Sequence, residues 1–200
     1  MFTGIIQALG NIKEIRSSNK GVVFILNSNS LDLSDVSIGD SIAVNGVCLT
    51  VTHLDKDSFS ADISQETLNC TTFSQLKKGQ NINLEKSLRL DQGIDGHSVS
   101  GHVDGVGKVT SIAIEGESTR MKIKVDDNLI KYIAKKGSIC INGVSLTVNE
   151  IDGNVFGVNI IPHTFSVTTL GELKVNSQAN IEIDIIARHI EQLLNNKTSA

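Results

Sequence analysis

NGVCLTV at residues 45–51 returns as NGVSLTV at residues 142–148, with Ser145 in the place of Cys48. Sliding the chain against itself at that spacing, the 97 residues from Asn45 to Asn142, aligns far more than the motif. Gly4 meets Gly101, Gly10 meets Gly107 and Ser41 meets Ser138. Further on, Phe59 meets Phe156, Thr67 meets Thr164, and Leu76, Asn83 and Glu85 meet Leu173, Asn180 and Glu182. Because the register is the same at both ends, the copies carry no net insertion or deletion. Solenoid repeats run about 20 to 50 residues and usually come in three or more copies, so two copies of this length are two whole domains. They span residues 1–97 and 98–186, and residues 187–200 have no counterpart.

Asn-Gly between two alternating apolar runs is a strong hairpin signal, since a type I′ turn needs positive φ at both central residues. Pairing outward from Asn45-Gly46 sets Val44 against Val47, Ala43 against Cys48, Ile42 against Leu49 and Ser41 against Thr50. Opposed residues share a face. Ile42, Val44, Val47, Leu49 and Val51 therefore face a core, and Ser41, Ala43, Cys48 and Thr50 face away from it. The second copy gives Ile139, Ile141, Val144, Leu146 and Val148 inside, with Ser138, Cys140, Ser145 and Thr147 outside. The remaining segments, such as GVVFIL, SFSADI and QNINLE, are short and β-branched or alternating, so each copy is a small barrel or sandwich. One helix per copy is expected over SQETLNCTTFSQL and PHTFSVTTLGEL.

The chain has 200 residues, 40% of them apolar, and a net charge of −4. That balance, with no basic stripe, excludes a phosphate backbone as the main partner. The start MFTGIIQALGNIKEI has neither the charged opening nor the apolar run of a signal peptide. Cys48, Cys70 and Cys140 are odd in number and lack CxxC spacing, which fits a reducing cytoplasm and indicates neither a disulfide framework nor a zinc site.

The outward hairpin face of small hydroxyl and thiol groups has two readings: an ordinary solvated β face, or a floor flat enough to receive a planar ring and donate to it. Cys48 is either an inert filler or a working thiol. The cluster GHSVSGHVDG at 96–105 offers His97 and His102, as a polar turn at the domain junction or as part of a site. The two copies diverge there, since His102 aligns with Ile5.

MFTGIIQ, the two hairpins, ETLNCTTF, GHSVSGHVDG, IPHTFSVTTLGEL and NIEIDIIARHIEQLL, in that order and over essentially the whole chain, resemble the riboflavin synthase alpha-chain family. The resemblance implies an all-β protein of two tandem six-stranded Greek-key barrels plus a short C-terminal α-helix that joins three chains into a homotrimer. It implies dismutation of two 6,7-dimethyl-8-ribityllumazine molecules to riboflavin and 5-amino-6-ribitylaminouracil, without metal or organic cofactor, at sites shared between neighbouring chains. Association with lumazine synthase stays open. The same duplicated fold occurs in non-catalytic lumazine- or flavin-binding antenna proteins, in which the stretch matching SGHVDG tends to lose its histidine; here His102 is kept, which favours the enzyme.

Carried over residue by residue, the family's pattern implies a first site lined by Gly4, Ile5, Ile6, Cys48, Leu49, Thr50, Asp62, Ile63, Ser64, Gln65, Glu66, Thr67, Gly101, His102 and Val103. It implies a second lined by Lys136, Ser145, Leu146, Thr147, Asn159, Ile160, Ile161, Pro162, His163 and Thr164. Ser41, Cys48 and His102 in the first, with Phe2 positioning the ring, and Ser145, Thr147 and Asp184 in the second are the implied catalytic groups. Asp184 also stands where a helix dipole favours an acid. In the tail, Ile186, Ile190, Leu193 and Leu194 make an apolar stripe at helical spacing.

Overall fold

The computed structural model describes residues 1–18 and 21–197. In the first repeat, Ala8–Ser18 (β1), Gly21–Asn27 (β2), Ser41–Val44 (β3), Val47–Leu54 (β4), Ser58–Ile63 (β5) and Asn81–Lys86 (β6) close an antiparallel barrel in the order β1-β2-β5-β4-β3-β6. In the second, Gly105–Glu115 (β7), Ser118–Lys124 (β8), Ser138–Ile141 (β9), Val144–Asp152 (β10), Val155–Ile160 (β11) and Gln178–Ile183 (β12) close in the matching order β7-β8-β11-β10-β9-β12. The last strand of each returns beside the first, a Greek-key path. Closure leaves no free sheet edge.

Both hairpins have the register that their turns dictate: Ala43 pairs with Cys48, Ser41 with Thr50, Cys140 with Ser145 and Ser138 with Thr147. Asn45 and Asn142 take φ of 45° and 48°, and the glycines after them are also positive. Bulges recur at equivalent places, between Ile12 and Glu14 and between Val109 and Ser111, and again between Val51 and His53 and between Val148 and Glu150. A bulge bends and twists its strand, which helps so few strands to curl shut. Inside, Phe24, Phe59, Phe73, Ile42 and Leu84 fill one barrel, and Phe156, Met121, Ile139 and Ile181 fill the other.

Each expected helix forms as two pieces. Gln65–Cys70 (α1) and a 3₁₀ turn at Thr72–Gln75 are separated by extended Thr71, whose hydroxyl accepts from the Phe73 N–H at 3.2 Å. After the short helix Asp127–Ile130 (α2), Pro162–Val167 (α3) and the turn Thr169–Glu172 are divided by Thr168 in the same way. A threonine that caps the next turn competes with continuing the helix. The terminal helix runs Ile185–Lys197 (α4), starting two residues before the expected boundary, and positions 198–200 of that expected tail lie outside the described residues. No described helix is long and apolar enough to cross a membrane.

The barrels are bound to each other by crossed asparagines. Asn83 on β6 donates to the Asn142 carbonyl and accepts from the Thr169 N–H, both at 2.8 Å, and Asn180 on β12 does the same with the Asn45 carbonyl and the Thr72 N–H. All of these groups are buried, so each bond holds a polar atom that water cannot serve.

Candidate functional site

The segment ahead of each barrel crosses to the other barrel. Residues 2–3 and 97–99 form a ribbon, in which the Phe2 N–H donates to Val99 O at 2.7 Å and the Val99 N–H to Phe2 O at 3.1 Å. From this ribbon, Gly101 O accepts the Cys48 N–H at 2.9 Å, and Gly4 O accepts the Ser145 N–H at 2.8 Å. Buried carboxylates pin the segments from behind. Glu85 accepts from the Thr3 N–H, the Thr3 hydroxyl and the Gly4 N–H at 2.6, 2.8 and 3.1 Å; Glu182 does likewise for Ser100 and Gly101. The glycines permit the approach. A Cβ on Gly101 would stand 2.6 Å from the Cys48 Cβ, one on Gly4 2.6 Å from the Ser145 Cβ, and both residues have φ near +80°.

This crossing sorts the implied site residues into two groups. On the first barrel, Cys48, Thr50, Gly101, His102 and Val103 come together, and because Val51 pairs with Ala61, Thr50 adjoins Asp62 and the start of α1. There Ser64 caps the helix, accepting from the Thr67 N–H at 3.1 Å, and Gln65 and Glu66 are exposed. On the second barrel, Ser145, Leu146 and Thr147 adjoin Asn159, and Ile161, Pro162, His163 and Thr164 lead into or open α3. Ile161 and His163 are exposed, and Asn159 donates to Glu115 at 2.8 Å.

Several implied placements are corrected. Gly4, Ile5 and Ile6 belong beside Ser145, with Ile6 packed on the second core, and not with Cys48. Phe2 is fully buried between the barrels with Ala43, Val99 and Cys140, so its ring cannot touch a ligand and instead backs Gly101. That cluster also means Ala43 and Cys140 do not face solvent: the ribbon covers them. Leu49, Ile63 and Ile160 point into their barrels, leaving only backbone for a ligand. Ser41 lies at the far end of the hairpin from the turn, partly exposed, opposite Thr50. Lys136 is exposed with φ 69°, its N–H donating to Val148 O at 2.7 Å, at the margin of the second floor. Asp184 caps α4, its carboxylate accepting from the Ile186 N–H at 3.0 Å.

His97 is a candidate site group absent from the residues that the family's pattern implies, although GHSVSGHVDG displays it. Its Nδ1 shares a 2.7 Å hydrogen bond with the Ser145 hydroxyl, and its Nε2 is buried with no partner among the described residues. Burial holds its pKa below the usual histidine value, against the opposing pull of Asp184 and Glu182, so the imidazole is neutral at pH 7. The first floor has no such histidine–hydroxyl pair among the described residues. Instead it offers the half-buried Cys48 thiol and the exposed His102. Glu85 was also missed as a positioning group; burial raises its pKa despite three hydrogen bonds.

The two floors are thus alike in backbone and unlike in chemistry. The model of the lumazine binding domain matches the chain twice, over residues 3–87 and 100–184. The chain belongs to the lumazine-binding domain family. Among its relatives, the riboflavin synthase of Photobacterium phosphoreum is 48% identical over 97% of this chain and 89% of that protein. That of Bacillus subtilis is 38% identical over 97% and 90%. Among solved structures, LumP complexed with riboflavin superposes with a TM-score of 0.83 at 31% identity, covering 92% of this chain and 99% of that one. LumP complexed with 6,7-dimethyl-8-(1'-D-ribityl)lumazine gives 0.80 with the same identity and coverage. The duplication that organises the sequence is the duplication of the lumazine-binding domain itself.

Proposed function

We propose that the Cys48 floor and the Ser145 floor each hold one 6,7-dimethyl-8-ribityllumazine, and that a floor of one chain meets the other floor of a neighbour. The activity is that of a riboflavin synthase: a four-carbon unit passes from one lumazine to its twin, giving riboflavin and 5-amino-6-ribitylaminouracil. The observation that carries this reading is the pair of near-identical hairpin floors, each flanked by backbone from the other repeat, in a chain whose relatives are riboflavin synthases over nearly its whole length.

Two identical substrates require two related sites held face to face. Within one chain the floors are separated by the buried ribbon of Phe2 and Val99, which supports completion of the centre by a second chain. Exposed Ile186, Ile190 and Leu193 on α4 support a helical contact between chains, and a homotrimer closes such contacts. The neutral His97 beside Ser145 suits proton transfer or orientation at one lumazine, while Cys48, Ser41 and His102 serve the other; Thr147 and Asp184 contribute at the second floor. Deprotonation of the acidic C7 methyl of one lumazine and attack at C7 of the other need orientation first. The setting is the cytoplasm, where association with lumazine synthase would deliver substrate.

The test is to incubate the purified chain with the lumazine alone and follow absorbance. Riboflavin should appear at one molecule per two lumazines consumed. Lumazine that stays bound without product would overturn the reading in favour of a binding protein.

A further inference from the structure

The loop that carries His102 to the Cys48 floor is held at both ends by the second barrel. At one end the Glu182 carboxylate accepts from the Ser100 and Gly101 N–H groups. At the other the Asp104 N–H donates to Ile181 O at 2.8 Å, and the Asp104 carboxylate accepts from the Ile183 N–H at 2.7 Å. Between them Val103 leans on the first core. The first repeat builds the same corner without charge. Gln7 aligns with Asp104 and Lys86 with Ile183, and the Gln7 amide oxygen accepts from the Lys86 N–H at 2.9 Å. In the second repeat the acceptor is a carboxylate whose side chain is only 6% exposed, and a charge buried so far requires a partner.

That partner comes from α4. The Arg188 guanidinium pairs with Asp104 Oδ1, leaving Oδ2 for Ile183, and with His102 it lines a cleft of about 230 Å³. Glu191, three residues on and on the same face of the helix, accepts from Lys131 at 2.6 Å and from the Tyr132 hydroxyl, so α4 is seated on its own barrel at two points. We infer that Arg188 is a positioning residue for the Cys48 floor: by neutralising Asp104 it keeps residues 100–104 docked, and so ties the placement of Gly101 and His102 to the seating of the terminal helix. The inference rests on that floor being a lumazine site. Without the guanidinium, Asp104 turns out to water, the Ile183 N–H loses its acceptor, and the loop loosens where Gly101 O accepts the Cys48 N–H.

The test uses the whole chain and two measurements. Alkylation of Cys48 by iodoacetamide, separated from Cys70 by peptide mass spectrometry, reports how closely the loop covers the floor, and a riboflavin titration reports what the floor binds. Arg188→Ala should speed Cys48 alkylation about fivefold or more while exposed Cys70 keeps its rate, and should weaken one class of riboflavin site by a similar factor with the other within about twofold. Arg188→Lys, which keeps the charge, should recover part of the loss. Asp104→Asn combined with Arg188→Ala copies the neutral corner of the first repeat and should recover most of it, a rescue that a general role of the arginine in α4 would not allow. An unchanged Cys48 rate in Arg188→Ala, equal weakening of both riboflavin classes, or a double variant as impaired as Arg188→Ala would overturn the inference. A wild-type chain that binds no riboflavin while the alkylation pattern holds would sink the lumazine reading of the floor and still support the role of Arg188.

Discussion

Replacing Gly101 with alanine puts a methyl group where the two repeats touch. The new Cβ would lie 2.6 Å from the Cys48 Cβ and 2.9 Å from the edge of the buried Phe2 ring. Overpacking of this kind costs about 1–3 kcal/mol. The residue also sits at φ +81°, where a side chain adds about 1–2 kcal/mol. The sum, about 2–5 kcal/mol, is what the docked segment must absorb or escape by leaving Cys48. Since each 1.4 kcal/mol is about tenfold, even the lower end shifts the docked-to-undocked ratio roughly thirtyfold, and the upper end several thousandfold, so affinity at the Cys48 floor falls as the docked fraction does. A fluorescence titration with riboflavin should resolve two classes of site; Gly101→Ala should weaken one class by more than about tenfold and leave the other within about twofold. Gly4→Ala should do the reverse, through Ser145. Equal weakening of both classes by either substitution, or of neither, would refute the crossed arrangement.

Asn83→Ala leaves the Asn142 carbonyl and the Thr169 N–H buried without partners, costing about 2–5 kcal/mol in urea denaturation; a loss below about 1 kcal/mol would show that the crossed asparagines do not join the barrels. Glu85 has its pKa raised by burial, so its neutral form is the one favoured by folding. Its contribution is fullest below the ordinary carboxylate range and is lost as pH rises through the raised value. Wild-type stability measured between about pH 4 and about pH 8 should therefore decline relative to Glu85→Gln as pH rises, and a flat difference would argue against a strained carboxylate there. Cys48→Ser makes the first hairpin motif identical to the second. It should cut turnover about tenfold while riboflavin affinity stays within about threefold, and unchanged turnover would remove the case that Cys48 and Ser145 assign unlike roles.

The hairpins, the duplication and the core faces were legible because they rest on local chemistry. Asn-Gly sets the turn, and alternation sets which of Ile42 and Ala43 points inward. The helix breaks at Thr71 and Thr168 were harder, since a threonine continues a helix or caps a new turn according to how the next few residues pack. What stayed hidden was the crossing of residues 2–4 and 99–101. A repeat aligns Gly4 with Gly101, but it reads the same whether each segment docks on its own barrel or on the other. The repeat therefore does not say which floor Gly4 to Ile6 join, and the structure sets them beside Ser145. The burial of Phe2 is equally hidden, because an aromatic near the chain start gives no sign of the cluster with Val99 and Cys140 that buries it. His97 was visible as a residue, but its partner Ser145 lies 48 positions away.

The central claim, that a Cys48 floor and a Ser145 floor from different chains complete one catalytic centre, is tested most directly by complementation. Gly101→Ala and Gly4→Ala chains, each expected to be severely impaired alone, are coexpressed and their joint riboflavin synthesis is measured. In the proposed homotrimer, randomly mixed, about a quarter of the contacts would pair an intact Cys48 floor with an intact Ser145 floor, so about a quarter of wild-type turnover should return. A mixture no more active than its two components would place both lumazines within a single chain and contradict the account.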